Sequence, residues 1–371
     1  MDFSFSQEQQ MVRDSVARLL QDKYDFDARQ AIVNSDKPWS AEIWEAFSTL
    51  GLLGMPLPES KGGFGGSISD VVSIAEVFGA HLLVEPYISS ILLSSPLLAA
   101  SDTADADVCL RAVLAGQKTV AFAHEEGKGT QNPAFVSLSA RKTENGYRLD
   151  GDKRMVLGAA HADLLIVTAR VEGQVGDRNG LALFMIDPRI SGVKMAPFQT
   201  IDGRAAAHIR FDDVDVPLEN MLDDDAFDAI NSVVAGAIIA LSAEAVGAIG
   251  ALLNLTSEYA ATRKQFGVAI GTFQAISHKL ADMKIAHVKA RSTLIYTTAL
   301  AEAGNGTARD ISVLKGQVGK LGKFVGECAI QIHGGVGMTD ELNIGHFHKR
   351  LIAIDALFGD SEYHFRILGT K

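Results

Sequence analysis

Apolar residues recur at helical spacing along the N-terminal third of the chain. The first run follows Ser6, and Gln9 three residues later completes a capping-box pattern. A second run occupies 43–50 and ends at Gly51, a residue type that often follows the last turn of a helix. Because both runs space their apolar side chains three or four residues apart, each predicts a helix. Two further helices are predicted at 69–78 and 86–99.

The spacing between apolar residues shortens in the middle of the chain. Short apolar or alternating runs recur there at roughly 10–15-residue intervals, separated by turn residues, which is typical of a small β-barrel or sandwich. The predicted strands are 119–123, 147–151, 164–169, 181–186 and 208–214.

Helical spacing resumes after Ala226 and continues to the end of the chain. Helices followed by strands and then by helices indicate an α+β protein in separate parts, because an α/β fold would alternate the two. The predicted domains are a helical domain at 1–117, a β-domain at 118–225 and a helical domain at 226–371.

Composition narrows the class of protein. The 371 residues are 47% hydrophobic and 21% charged, with a formal net charge of -11, so nucleic-acid binding is not expected. Cys109 and Cys328 are too few for a disulfide framework and fit a reducing cytoplasm. No signal peptide or metal site is predicted, and the apolar segment 88–100 is too short to span a membrane.

One stretch, 260–283, concentrates residues that can bind a nucleotide. It predicts a helix end, a short link punctuated by glycine and the start of a second helix. Arg263 offers a planar fork of donors that suits phosphate, Gln265 adds an amide, and Phe266 can cover an adenine ring. Taken one at a time, these residues are better explained as a surface helix end with one core Phe.

The complete string is more specific, because R-x-Q-F-G…I…FQ…H-x-x-ADM resembles a signature of the acyl-CoA dehydrogenase family of flavoproteins. The stretch 331–339 resembles that family's Q-x-x-GG-x-G block. The resemblance covers nearly the whole chain and implies an all-α N-terminal domain, a β-domain and a C-terminal four-helix bundle. It also implies FAD, whose adenosine arm is held by the neighbouring subunit. The cofactor-binding residues implied are Arg263, Gln265, Phe266, Gln274, Gln331, Gly334, Gly335 and Ser361.

In that family a carboxylate removes the α-proton of an acyl-CoA thioester while the β-hydrogen leaves as hydride to the flavin. One position of this base is the Glu of a Y-E-G-T segment, which falls on Gly359, and the other lies near Ala237. Neither residue can abstract a proton, so the neighbouring carboxylates Asp360 and Glu244 become the candidate bases. Glu244 lies in an otherwise apolar helix, where a carboxylate is costly unless paired. The alternative is therefore a structural partner for an Arg or a Lys.

The motifs that would face the flavin ring also depart from the family. Its Y-x-x-T-E-P-G is replaced by the residues at 121–127, and its W-I-T-N by Met-Val-Leu-Gly at 155–158. His124 could still donate a hydrogen bond to the flavin, and an exposed histidine at the edge of the β-domain is an equal alternative.

The adenosine half of the cofactor site therefore matches the family, whereas the ring half does not. This pattern resembles the small-subunit type of acyl-CoA dehydrogenase, associated with pimeloyl-CoA and with heterotetrameric enzymes of steroid side-chain breakdown. It implies a cytoplasmic tetramer that pairs this chain with a homologous subunit, acts on a medium, dicarboxylic or steroid-linked acyl-CoA and passes electrons to an electron-transfer flavoprotein. The alternative is a non-catalytic family member that only binds flavin or CoA, or that completes a partner's site.

Overall fold

The structure is a computed structural model that describes residues 5–127 and 131–370. Its N-terminal third is helical, as predicted. The capping box is present, since the Ser6 side chain accepts from the Gln9 N–H and the Gln9 side chain reaches back to the Ser6 N–H. The helices are α1 (Gln7–Lys23), α2 (Phe26–Val33), α3 (Ala41–Thr49), α4 (Ile68–Ala80), α5 (Ser95–Ala100) and α6 (Ala104–Leu114).

Two of the predicted helices differ in detail from expectation. Helix α3 buries Ile43, Trp44 and Phe47, but Leu50 lies just beyond its end and is 45% exposed. The segment predicted as one helix at 86–99 is a π-helix, Tyr87–Ser94, continued by α5.

The middle of the chain forms one mixed sheet of eight strands. All five predicted strands are present, and three more complete the sheet. The strands are β1 (Val120–Ala123), β2 (Ser139–Thr143), β3 (Gly146–Leu157), β4 (Leu164–Arg170), β5 (Leu181–Ile186), β6 (Val193–Gln199), β7 (Ala205–Pro217) and β8 (Met221–Asp223).

The strand order is β6-β7-β3-β2-β4-β5-β8, with β1 paired to β4. Strand β1 runs parallel to β4, and most other pairs are antiparallel. Strand β6 was not predicted because it contains Pro197, which weakens a strand prediction from sequence, and none of its residues is fully buried.

The C-terminal part is a helical bundle with a small hairpin. Its elements are α7 (Phe227–Thr262), β9 (Lys264–Gln265), β10 (Val268–Ala269), α8 (Gln274–Glu302), α9 (Ala308–His333), α10 (Asn343–Ala356) and α11 (Ser361–Gly369). Among the described helices α7, rather than 88–100, is long and apolar enough to cross a membrane by length and composition. The most apolar window of α7 is 72% buried inside the protein, as in a core helix.

The chain divides into two compact units. The bundle unit contains Met1–Ala31, Ser67–Leu83 and Ile238–Lys371, and the sheet unit contains Ile32–Gly66 and Val84–Ala237. Within the bundle unit, α4 and α7 cross in direct contact, because a Cβ added to Gly79 or Gly247 would collide with the backbone of the other helix. The sequence-based domain bounds at 117/118 and 225/226 stay predictions.

Candidate functional site

The residue that follows α7 begins a tight hairpin. The Arg263 N–H donates to the Tyr259 carbonyl at 2.8 Å, and the Arg263 carbonyl accepts from the Ile270 N–H at 2.9 Å. Strands β9 and β10 pair in the register that leaves Phe266 and Gly267 as a two-residue loop. Both loop residues have positive φ, 53° and 81°, as a type I′ turn requires.

Phe266 is the unusual residue of this hairpin. A non-glycine residue in the left-handed region costs on the order of 1 kcal/mol, yet the ring gains little burial because the residue is 93% exposed. It meets the Phe273 ring edge-on at a centroid distance of 6.2 Å. Arg263, Gln265 and Gln274 are also exposed. An exposed aromatic on strained backbone indicates a function rather than a contribution to stability.

The second sequence motif lies at the end of α9. Gln331 is exposed, His333 ends the helix, and Gly334 turns the chain with a φ of 66°. Nothing lies within 4 Å of a Cβ built on Gly334 or Gly335, so these two residues face open space.

The two motifs are connected by a contact between Tyr259 and His333. The Tyr259 ring, in the last turn of α7, stacks on the His333 ring with centroids 4.2 Å apart and planes 22° apart. The end of α7 and the end of α9 are therefore adjacent in the bundle unit. We call the exposed residues around this contact the α7–α9 surface: Arg263, Gln265, Phe266, Gln331, Gly334 and Gly335.

Ser361 does not share this exposure. It is the first residue of α11 and is buried, and its N–H donates to Asp355 Oδ1 at 3.0 Å. Asp360, one candidate base, is the N-cap of the same helix, and its carboxylate accepts from the Tyr363 N–H at 2.7 Å. That bond gives Asp360 a structural role at the helix start.

A buried lysine holds the loop before α11 in place. Lys315 Nζ donates to the carbonyls of Asp355 and Gly359, each at 2.6 Å. Burial lowers the pKa of Lys315 to about 8. Gly359 has a φ of 93°, and a Cβ there would lie 2.6 Å from the Tyr363 ring. The backbone therefore requires glycine at 359.

This requirement bears on how the loop matches the Y-E-G-T segment. If the glycine of the motif is aligned with Gly359, the glutamate position falls on Phe358, whose φ is 56°. In either register, the position that carries the base in the family has no carboxylate in this chain. Ala237, at the other base position, is fully buried in α7.

Glu244, the second candidate base, forms a buried ion pair. Its two carboxylate oxygens accept from Nε and Nη2 of Arg350, each at 2.7 Å, and both side chains are buried. A carboxylate held in two charge-assisted hydrogen bonds is a weak proton acceptor. This geometry matches the alternative interpretation of Glu244, in which it is a structural partner of an arginine.

In the sheet unit, His124 is buried at 7% exposure, so the second of its two interpretations, an exposed histidine at the edge of the β-domain, is not what the structure shows. Its ring stacks on Phe122, and Nδ1 lies 3.1 Å from Thr168 Oγ1. Burial lowers the pKa of His124 to about 3, and the charge of Lys153 adds to the shift. The imidazole is therefore neutral near pH 7.

Lys153 holds this region together, although nothing in the sequence analysis singled it out. Its Nζ donates to the His124 carbonyl, Glu126 Oε1 and Thr168 Oγ1 at 2.9–3.0 Å. Burial opposes ionisation of Glu126, but Lys153 and the hydrogen bonds from Ser137 outweigh it and lower the pKa of Glu126 to about 2. We call His124, Glu126, Lys153 and Thr168 the Lys153 cluster. The sequence did offer one signal for the burial of Lys153. Side chains alternate between the two faces of a strand, which places Lys153 on the same face of β3 as the buried Leu149.

The other ring-side positions carry few polar groups. Met155 lies in a bulge of β3 with a φ of 51° and is 40% exposed. It is followed by Val156, Leu157 and Gly158, whose side chains offer no hydrogen bond. Glu125 is partly buried, and burial raises its pKa to about 7. Among the described residues, the positions that match the Tyr and Thr of Y-x-x-T-E-P-G and the Trp, Thr and Asn of W-I-T-N thus carry other residues, whereas the α7–α9 surface carries Arg263, Gln265, Phe266, Gln331, Gly334 and Gly335 as the family signatures have them.

The chain is similar to known proteins along most of its length. Three models of acyl-CoA dehydrogenase domains match it: the N-terminal domain at 6–117, the middle domain at 121–214 and the C-terminal domain at 227–371. The chain is 26% identical to the caffeyl-CoA reductase-Etf complex subunit CarC of Acetobacterium woodii, over 93% of each protein.

Solved structures agree with these matches. The structure of PigA with FAD and proline aligns with a TM-score of 0.90 at 26% identity, covering 99% of this chain and 98% of the other. The ChsE4-ChsE5 complex from Mycobacterium tuberculosis shares the fold, with a TM-score of 0.90 at 22% identity and coverage of 100% and 98%.

Proposed function

Because this chain belongs to the acyl-CoA dehydrogenase family, whose members bind FAD and oxidise or reduce acyl-CoA thioesters, we propose that it works as one subunit of such an enzyme. In this proposal the chain completes the FAD site of a related but different subunit. The family resemblance and the α+β fold seen in the sequence are confirmed, and the subunit role is the step beyond them.

The observation that carries the proposal is the hairpin at the end of α7. Phe266 is held in a strained conformation and is almost fully exposed, and Arg263 and Gln265 are exposed beside it. A side chain that stays almost fully exposed, with one edge-on contact to Phe273, on strained backbone is best explained by a ligand or a partner that covers it.

The residues of the α7–α9 surface suit the adenosine diphosphate arm of FAD. The guanidinium of Arg263 can form charge-assisted hydrogen bonds with a phosphate, and the Phe266 ring can stack on adenine. Gly334 and Gly335 have no side chain to exclude a phosphate group from the backbone. When bound, FAD supplies the redox chemistry, and these residues hold and orient it.

The proton-transfer step needs a group that this chain does not offer at either family position. Ala237, Phe358 and Gly359 have no acid or base. Asp360 caps α11, and Glu244 is held by Arg350. A general base must lie within hydrogen-bond reach of the proton it removes, so the proposal assigns the base to the partner subunit.

The experiment is to co-express the chain with a homologous subunit, taken from a neighbouring gene where one encodes it, and to measure bound flavin. We expect a yellow complex that is bleached by acyl-CoA. Arg263→Ala should lower the FAD content, because the lost phosphate contact is worth about 1.5–3 kcal/mol. Arg309→Ala removes an exposed arginine near the start of α9 and is the matched control. An Arg263→Ala complex that keeps all its flavin would reject the proposal.

A second candidate follows from the missing base. The chain could be a non-catalytic member that binds flavin or CoA and only supports a partner. A neighbouring homologue with Glu at either base position favours the shared active site. A colourless complex with no CoA-dependent spectral change favours the non-catalytic member. Turnover of acyl-CoA by this chain alone would exclude it.

The electron acceptor, the cellular location, the oligomeric state and the substrate class are also part of the proposal. CarC is by its name a subunit of a complex with Etf, which supports an electron-transfer flavoprotein as the electron acceptor. We place the enzyme in the cytoplasm, as a tetramer, with a medium, dicarboxylic or steroid-linked acyl-CoA as substrate.

A further inference from the structure

We infer that Tyr259 and His333 form a clamp that holds the two halves of the α7–α9 surface in register for the adenosine diphosphate arm of FAD. Tyr259 lies outside both motifs and His333 occupies a variable position of the second, and neither is assigned a contact with the cofactor. The inference rests on the proposed function, because it concerns how the same surface is positioned. Both are positioning residues rather than catalytic ones.

Tyr259 is tied directly to the first half of the surface. Its carbonyl accepts the Arg263 N–H at 2.8 Å, one helical turn further on, and this bond closes the last turn of α7. The Arg263 carbonyl then accepts from Ile270, which anchors the hairpin that carries Gln265 and Phe266. A shift of Tyr259 would therefore be passed to the start of the hairpin through the backbone.

His333 is tied in the same way to the second half. It is the last residue of α9, two residues after Gln331 and directly before Gly334. The turn that follows packs back on it, since a Cβ on Gly337 would lie 2.9 Å from the His333 Cβ. Its Nδ1 lies 2.9 Å from the Ala329 carbonyl. A carbonyl can only accept, so Nδ1 carries the proton and the ring orientation is set.

The contact between the two rings joins these halves. The centroid distance of 4.2 Å and the angle of 22° describe a stacked pair of the kind that is worth about 0.5–1.5 kcal/mol beyond simple burial. Burial lowers the pKa of His333, so the stacked ring is neutral near pH 7. A ligand that contacts both halves at once, Arg263 and Phe266 on the first and the backbone of Gly334 and Gly335 on the second, is sensitive to their spacing.

The test uses the co-expressed complex after its flavin has been removed, with ADP as the probe of the adenosine arm. His333→Ala abolishes the stack, whereas His333→Phe keeps an aromatic ring and loses the hydrogen bond to Ala329. Tyr259→Phe retains the stack, and Tyr259→Leu keeps apolar volume without it. Tyr296→Ala removes an exposed tyrosine of α8 and is the control.

We expect His333→Ala and Tyr259→Leu to weaken ADP binding about three- to tenfold. His333→Phe, Tyr259→Phe and Tyr296→Ala should bind ADP like the parent complex. Rescue by an aromatic ring separates a positioning role from general destabilisation, and the thermal unfolding midpoint of each complex is recorded beside the affinity.

Unchanged ADP binding in both His333→Ala and Tyr259→Leu would overturn the clamp. So would an equal loss in His333→Phe, because the ring would then not be the feature that matters. A parent complex that binds neither FAD nor ADP would instead reject the proposed function itself, which keeps the two failures distinct.

Discussion

The α7–α9 surface and the Lys153 cluster use similar side chains in opposite ways. In the first, Arg263, Gln265 and Phe266 are exposed, and the backbone of Phe266 is strained. In the second, Lys153 and Glu126 are buried and satisfied by each other and by their neighbours. A closed polar network is satisfied by its own chain and is costly to break from one side, whereas an exposed and strained one is suited to a group that arrives from outside.

The contrast also separates what a mutation should change. Substitutions in the Lys153 cluster should alter the stability of the sheet unit. Substitutions on the α7–α9 surface should alter cofactor binding and leave the stability of the chain unchanged or improved.

The largest effect is expected for Lys153→Met, which leaves the Glu126 carboxylate buried without its cation. Breaking a buried ion pair from one side costs about 3–5 kcal/mol, which should appear as a lower denaturation midpoint. Adding Glu126→Gln should recover part of the loss, because the uncompensated charge is then removed. Lys142→Met, at an exposed position of β2, is the control. A Lys153→Met chain as stable as its parent would remove the contrast between the two regions.

A pH dependence should arise from His124. Its folded-state pKa of about 3 lies below the ordinary histidine pKa of 6.5, so at intermediate pH the unfolded chain binds a proton that the folded chain does not. Stability is then fully present above pH 6.5 and falls as the pH drops toward 3, by about 2 kcal/mol at pH 5 from this group. His124→Asn should flatten that part of the profile. His278→Gln, at an exposed position of α8, should not, and equal slopes in the two variants would contradict the assignment.

Phe266→Asn tests the α7–α9 surface, where a substitution should weaken cofactor binding without destabilising the chain. Asparagine tolerates the left-handed region, so relief of strain should stabilise the chain by roughly 0.5–1 kcal/mol. FAD retention by the complex should fall, because the ring that covers adenine is lost. Phe324→Asn, which removes a partly exposed Phe from the middle of α9, should destabilise the chain. Loss of stability in Phe266→Asn would mean that the Phe ring serves its own chain.

The smallest effect is expected for Asp360→Asn. Asparagine caps a helix about as well as aspartate, so both stability and turnover by the complex should stay within experimental error. If Asp360 were the general base, kcat would drop by about 10²-fold or more. Steady-state kinetics with the parent complex as reference decide between these outcomes.

Local features were predictable from the sequence. The capping box at Ser6 and the strands at 164–169 and 181–186 depend on residues close together in the chain. The link after Thr262 was predicted from its glycines, and the structure adds that it is a hairpin whose turn strains Phe266.

Features that depend on residues distant along the chain were not predictable from the sequence. Glu244 meets Arg350 across 106 positions, and no local pattern specifies which arginine would approach it. For His124 the sequence left two interpretations open, a hydrogen-bond donor to the flavin and an exposed histidine at the domain edge, and it did not show that Lys153 from β3 closes over the segment. The glycine requirement at 359 came from Lys315 and Tyr363, which lie on two other elements. Each case is a tertiary contact overriding what the local sequence favours.

The central claim is that the exposed surface of this chain serves a cofactor whose ring is held by another subunit. Counting FAD per chain tests it most directly, in this chain purified alone and in the complex with its neighbouring homologue. The account predicts little or no flavin on the chain alone and one FAD for each pair of unlike subunits. A homo-oligomer of this chain that carries one FAD per subunit would contradict it.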